Sequence, residues 1–314
     1  MRVVLISCLT LFGAPALLVP AQTEAQTEAQ TQAQTQAQTE AQTQAQTQAQ
    51  TQTARDTRPD TAAAVARIAQ AMQIAPMLEV MQAEGIAYGD DLATDMLGGQ
   101  SDRWSAIVAG IYDAQTMEAA FNSRFAAALG DYPAVLPAIE AFFASEQGQQ
   151  IVTLEVEARR ALLDQAVEDA AAVLMQDMVT EKDPRFDMLQ AFVAACDLEE
   201  QNVVGAMNAN FAFMQGMAAA GGPAAQMTED EMLADVWGRE AEVRASTREW
   251  LYSYFALAYQ PLDDADLAAY TAFWKTDAGQ RANAALFAAF DSVFVDISRD
   301  LGEAAAIQMQ GDDI

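Results

Sequence analysis

The chain has 314 residues, no histidine, and 45 acidic against 16 basic side chains, for a formal charge of −29. Without histidine there are no His-based triads, no ordinary zinc sites and no imidazole base, and so acidic a field repels phosphate backbones and anionic lipid headgroups. Nucleic acid is therefore excluded as a partner class, and the 52% hydrophobic fraction, carried largely by Ala, suits close-packed helices.

Met1-Arg2 followed by the apolar run from Val3 to Val19 reads as a cleavable signal peptide over residues 1–21, with Val19 and Ala21 as the small cleavage-site pair. The run is broken by Pro15 and is too short for a membrane span, so the mature chain is expected in the periplasm, with secretion as the alternative, and without a transmembrane segment. Removing Cys8 with the signal leaves Cys196 alone, in the apolar run Ala191–Cys196, where a buried inert thiol is expected. Residues 22–56 are a low-complexity Gln/Thr/Ala/Glu tract with no aromatic or large aliphatic side chain. Such a segment cannot bury enough surface to fold and is expected to be a disordered, solvated linker.

From Asp60 the pattern is helical throughout. Asp60 can cap a helix running to Gly85 on a stripe of Val65, Ile68, Met72 and Leu78, and a short helix over Asp91–Leu97 then stops at Gly98-Gly99. Ser101 opens a segment through Trp104, Ile107 and Ile111, and Met117, Phe121, Phe125 and Leu129 mark another that ends at Gly130. Pro133 starts a short helix, and Glu146 starts a long one reaching about Val179. Asp183-Pro184 pairs an N-cap with proline at the first helical position. Thr228-Glu229-Asp230-Glu231 is a capping box opening a long helix with Gly238 as its point of interruption, Pro261 ends that helix, and Asp263 caps the next. The absence of alternating strand patterns gives an all-α class.

One signature occurs twice, Phe142–Gln149 and Phe273–Gln280, at a constant offset of 131 residues. From Leu136 to Gln149, six of fourteen positions match their counterparts. A repeat of that period implies a duplicated helical bundle, with residues 57–181 and 182–314 as two pseudo-repeats. In each copy Ser145 or Thr276 is an N-cap, Glu146 or Asp277 supplies a carboxylate to the positive helix end, and Gly148 or Gly279 allows an aromatic ring from Phe142/Phe143 or Phe273/Trp274 to pack closely. The product is a tight helix–turn–helix hinge that involves no catalysis.

The stretch from Tyr259 to Gln280 resembles the domain of unknown function 2059 family, whose motif is similar to Phe-Thr-x-x-Glu-Leu followed by Phe-Tyr-x-Ser-Pro-x-Gly. Here Asp266 stands for the Glu, Trp274 for the Tyr, Thr276 for the Ser and Asp277 for the Pro, and Leu136–Gly148 resembles a more diverged second copy. The resemblance implies an exported bacterial α-helical protein; it implies no reaction and carries no catalytic residue.

The run Trp250-Leu251-Tyr252-Ser253-Tyr254-Phe255 places Trp250 and Tyr254 on one helix face, either exposed as a recognition surface or packed against the other repeat. Arg244 and Arg248 are one turn apart beside it, and either bind an anion or form ordinary ion pairs, Glu240→Arg244 among them, with Glu155→Arg159 as a similar i,i+4 pair in the first half. Met214 and Met217 read as core filler, since without histidine or a second thiol a metal site is poor. The acidic pairs Asp263-Asp264 and Glu229-Asp230 lie at helix starts, where carboxylates cap. The expectation is therefore a non-enzymatic exported protein, possessing neither cofactor nor metal, that binds an envelope protein or a small ligand between its repeats and is able to homodimerise. Its candidate contacts are Arg244, Arg248, Trp250, Tyr254, Phe273 and Trp274. The competing class is a carboxylate-dependent hydrolase of envelope material, which needs two acids in one cleft.

Overall fold

A computed structural model describes residues 60–311, so the expected signal peptide and the low-complexity tract lie outside the described residues. Every regular element described is helical, and there is no strand among the described residues. The order is α1 (residues 60–71), α2 (Ile74–Met96), α3 (Asp102–Ile111), α4 (Ala114–Gly130), α5 (Leu136–Phe143), α6 (Glu146–Ala161), α7 (Gln165–Glu181), α8 (Pro184–Ala195), α9 (Leu198–Ala219), a 3₁₀ turn (Pro223–Gln226), α10 (Glu229–Trp237), α11 (Glu240–Ala258), α12 (Asp264–Trp274) and α13 (Asp277–Met309).

Local chemistry explains most of these ends. Ser101, Asp113, Asp164 and Asp183 each accept a backbone N–H at the start of α3, α4, α7 and α8, and Thr228 with Glu231 forms the expected capping box on α10. Four expected boundaries move, the smallest being that α5 starts at Leu136 and leaves Pro133 in the turn before it. The helix expected from Asp60 to Gly85 breaks at Gln73, whose backbone is left-handed (φ 53°) and whose side chain donates to the Thr153 hydroxyl on α6. Beyond the break α2 runs without interruption through Gly85 and Asp91 to Met96, so no separate helix covers Asp91–Leu97. The long helix expected from Glu146 stops at Ala161, because Asp164 turns its carboxylate onto the Ala166 N–H and starts α7. Asp263 occupies the N-cap position of α12, yet its side chain makes no capping bond.

α13, about 50 Å long at 1.5 Å per residue, is the spine of residues Ala64 onward, which form one compact unit. The expected halves therefore share one core, since α13 packs along both α9 and α4. Its approach to α9 depends on glycine. A Cβ on Gly216 would stand 2.0 Å from the Arg299 carbonyl oxygen, and one on Gly302 would stand 2.1 Å from that of Phe213. On α4, Phe121 meets Phe290 of α13 at 4.7 Å between ring centroids.

The α5–α6 and α12–α13 junctions have the same geometry. Ser145 and Thr276 each accept from the amide of Gly148 or Gly279 at 3.0 Å and donate their hydroxyl to the Phe142 or Phe273 carbonyl at 2.6 Å. Gln149 and Gln280 each donate back to the preceding aromatic residue's carbonyl, and each also reaches the end of an earlier helix, at Ala71 or Ala195. Those two helices end alike: Gln73 and Asp197 follow them at φ 53° and 51°. What the glycines admit is backbone. A Cβ on Gly148 or Gly279 would lie 2.2 or 2.3 Å from the Phe142 or Phe273 oxygen, so the close contact expected from an aromatic ring is made by the peptide before it. The two signatures then touch. Phe142 stacks on Phe273 at 4.1 Å and 14°, and the Gln147 amide donates to Asp266 at 2.6 Å.

Candidate functional site

The outer side of α6 is hydrophilic, but its inward face runs Gly148, Ile151, Val152, Glu155, Ala158 and Arg159. Three- and four-residue steps keep these positions on one stripe, which packs inward. The fold thus carries an acid and a base into the interior, where α11 and α12 meet them.

Glu155 is held mainly by hydroxyls from the other half of the chain. Tyr259, at the end of α11, donates to its carboxylate at 2.6 Å, Tyr270 of α12 donates to the same oxygen at 3.1 Å, and Tyr254 donates to its backbone carbonyl at 3.0 Å. All three tyrosines are buried. Loss of water pushes the Glu155 carboxyl up to about 7, against the opposing pull of the Tyr259 and Tyr270 hydrogen bonds. The same burial, with the Glu155 charge alongside, raises the three phenols well above their ordinary value, so they stay protonated as donors.

Arg159, one turn on, is 6% exposed and pairs bidentately with Glu84 of α2 at 2.8 Å through both nitrogens. Burial opposes its charge, but Glu84 more than offsets that and keeps the guanidinium ionised. The Glu155→Arg159 pair expected from the sequence therefore gives way to Glu84–Arg159, because the tyrosine hydroxyls take Glu155. Arg159 also lies over the Trp250 ring at 5.7 Å.

These groups wall a cavity of about 90 Å³ between α2, α6, α8, α11, α12 and α13. Its surface is mostly apolar, from Met77, Met81, Val152, Phe192, Leu251 and Trp274 among others, with Glu155 and Arg159 as the charged members. Trp274 on this wall carries a buried indole N–H that makes no hydrogen bond of normal geometry. Space of this size takes a group of a few heavy atoms or a short file of waters.

The six candidate residues separate. Trp250 and Tyr254 stack at 4.9 Å and line the cavity, packed against the first half, with Tyr254 buried at 4% exposed and Trp250 half-buried. Trp274 lines the cavity as well, while Phe273 turns to Phe142, where the α5–α6 and α12–α13 junctions meet. Arg244 and Arg248 are elsewhere. Arg244 is bound by Glu240 on its own helix at 2.6 Å and by Glu200 of α9 at 2.8 Å, and Arg248 lies 3.7 Å from Glu199 of α9, so both form ordinary ion pairs. The signature residues Phe142, Ser145, Gly148, Thr276 and Gly279 act as structural elements of the two junctions. Cys196 is a buried thiol on the cavity wall. Met214 and Met217 join a small apolar cluster with Met232.

The helix-start acids do not converge. Asp264 is 67% exposed and pairs with Arg185, and Glu229 and Asp230 are exposed on α10. The centre of the site was instead missed: Glu155, Arg159, Glu84, Tyr259 and Tyr270. The available signal was an acid and a base on the apolar stripe of α6. No described helix is long and apolar enough to cross a membrane. Comparison with known proteins gives no match: no family model, no curated protein and no solved structure resembles the chain significantly.

Proposed function

We propose that this is an exported, non-enzymatic helical protein that takes a small, mainly apolar, uncharged molecule, or the apolar end of a larger one, into the cavity between its halves. The single observation that carries this reading is an apolar chamber whose one carboxyl belongs to the first half and is held by tyrosine hydroxyls of the second. In a mostly apolar space Glu155, with Arg159 tied up by Glu84, offers the polar contact that orients a ligand with a single hydroxyl or amide. Methionines 72, 77 and 81 give the wall the adaptability that an incoming chain requires.

The signal peptide, the periplasmic destination, the duplication of one unit and membership of the domain of unknown function 2059 family belong to the same proposal. The equal geometry of the two junctions supports the duplication, and the Asp266-to-Gly279 motif supports the family. The hydrolase alternative needs a second acid beside Glu155. The other charged group on this wall is the Arg159 guanidinium, so the geometry favours binding over acid–base division.

Trp250 and Trp274 on the wall make a direct test. Titration with a series of n-alkanols should change tryptophan emission saturably, with affinity rising along the first members of the series and then falling. A Val152→Phe variant that fills the chamber should abolish the response while keeping the helical circular-dichroism spectrum. A response that is unsaturable, or unaffected by the filled chamber, defeats the proposal.

A further inference from the structure

Beyond the Arg159–Glu84 pair lies a second chamber, walled by α2, the α6–α7 turn, α9 and α13, with a volume of about 450 Å³. That is within the ~300–1,000 Å³ range of small-molecule sites. Met81 and Glu84 face it from α2, and neither Arg nor Lys contributes to its lining, whereas Glu84, Asp91 and Glu168 do. Glu84 is offset by Arg159, which leaves the exposed Asp91 as the clearest source of negative potential at its mouth.

Carboxylates at a surface do not make a site by themselves. The independent observation is a pair of hydroxyls. Tyr112 and Ser298, 8% and 6% exposed, both line this chamber, and neither hydroxyl is hydrogen-bonded within the protein. Neither oxygen is sealed from the chamber, so each stands open to bond whatever occupies it. The Tyr112 ring is seated there by Gly85, where a Cβ would stand 2.1 Å from its Cδ1 atom. Tyr88 beside it adds a second aromatic ring, and Phe213 and Leu301 supply an apolar floor.

We infer that this chamber binds a small organic cation, an arylalkyl- or alkylammonium ion, with Asp91 and the Tyr88 and Tyr112 rings at its nitrogen and its apolar body on Phe213 and Leu301. Aromatic faces and carboxylates together select a cation over an isosteric neutral molecule. The chain's charge of −29 raises the local concentration of such ions. The Tyr112 and Ser298 hydroxyls accept the ammonium N–H groups.

The test is isothermal titration of the full chain with benzylammonium chloride and, separately, with benzyl alcohol. The expected result is one benzylammonium per chain and benzyl alcohol bound at least ~10-fold more weakly. Asp91→Asn should weaken benzylammonium by about three- to tenfold. Tyr112→Phe, which keeps the ring, should weaken it too, and Val152→Phe in the first cavity should leave it unchanged. Absence of saturable binding overturns the inference. Equal affinity for the alcohol in the Val152→Phe variant, whose first cavity is filled, overturns it as well, since the chamber would then be merely apolar. Many weak sites per chain that vanish with added salt, or an Asp91→Asn variant of unchanged affinity, would mean diffuse attraction and would overturn it equally.

Discussion

Replacing Glu155 by Gln separates the buried carboxyl from every other acid in this highly charged chain. The amide keeps a carbonyl oxygen for the Tyr259 and Tyr270 hydroxyls and removes only the ability to ionise. In the folded chain the carboxyl titrates at about 7 instead of 4.5, chiefly because burial disfavours its charge. A raised acid binds its proton more tightly folded than unfolded, so its contribution is complete below the unfolded value and is lost as pH rises through about 7. At ~1.4 kcal/mol per pH unit, that gap amounts to at most ~3 kcal/mol, and water reaching the cavity wall makes it smaller. Tyr254, Tyr259 and Tyr270 stay neutral and Arg159 stays charged over this range, so nothing else facing Glu155 changes state. Urea titrations of both proteins at about pH 5 and about pH 8 read the effect: the wild-type midpoint should fall relative to the variant by up to ~1 M. Parallel pH profiles for the two proteins would refute the placement of Glu155 among the tyrosines.

Further outcomes follow from the same geometry. Gly279→Ala drives a Cβ to within 2.3 Å of the Phe273 oxygen and should cost ~1–3 kcal/mol, read as a lowered Tm, with Gly148→Ala behaving alike. Glu84→Gln strands the buried Arg159 and should cost ~3–5 kcal/mol, less in so far as Glu84 is part exposed. Arg244→Ala, at half-solvated pairs, should cost no more than ~1 kcal/mol, and denaturant titration of the two variants side by side checks the order. Thr276→Ala removes a cap seen at 3.0 Å and should cost ~1 kcal/mol, measurable as a reduced urea midpoint.

The helices were legible wherever a short polar side chain or proline punctuates the chain, as at Ser101, Asp183-Pro184 and Thr228. They were illegible where the break is made by tertiary contact: nothing local marks Gln73, whose left-handed turn is fixed by its bond to Thr153 on another helix. The signature was read correctly as a capped hinge because caps are local, but its glycine was explained by a ring when the partner is a peptide carbonyl. Glu155 and Arg159 show the deeper limit. At i and i+4 they form a standard surface pair on paper, and only their place on the Val152 stripe hints that both turn inward. Which acid then joins which base depends on Glu84 and on three tyrosines roughly a hundred residues away in sequence. Trp250 and Tyr254 stand out in the sequence because a helix with two aromatic faces must bury at least one; Tyr254 is buried and Trp250 half-buried on the cavity wall.

Native mass spectrometry of the protein, purified gently from the cells that make it, tests the central claim most directly. The account predicts a bound small molecule that leaves on denaturation and is missing from the Val152→Phe variant. A clean apo mass for the wild-type protein under conditions that preserve its fold would contradict it.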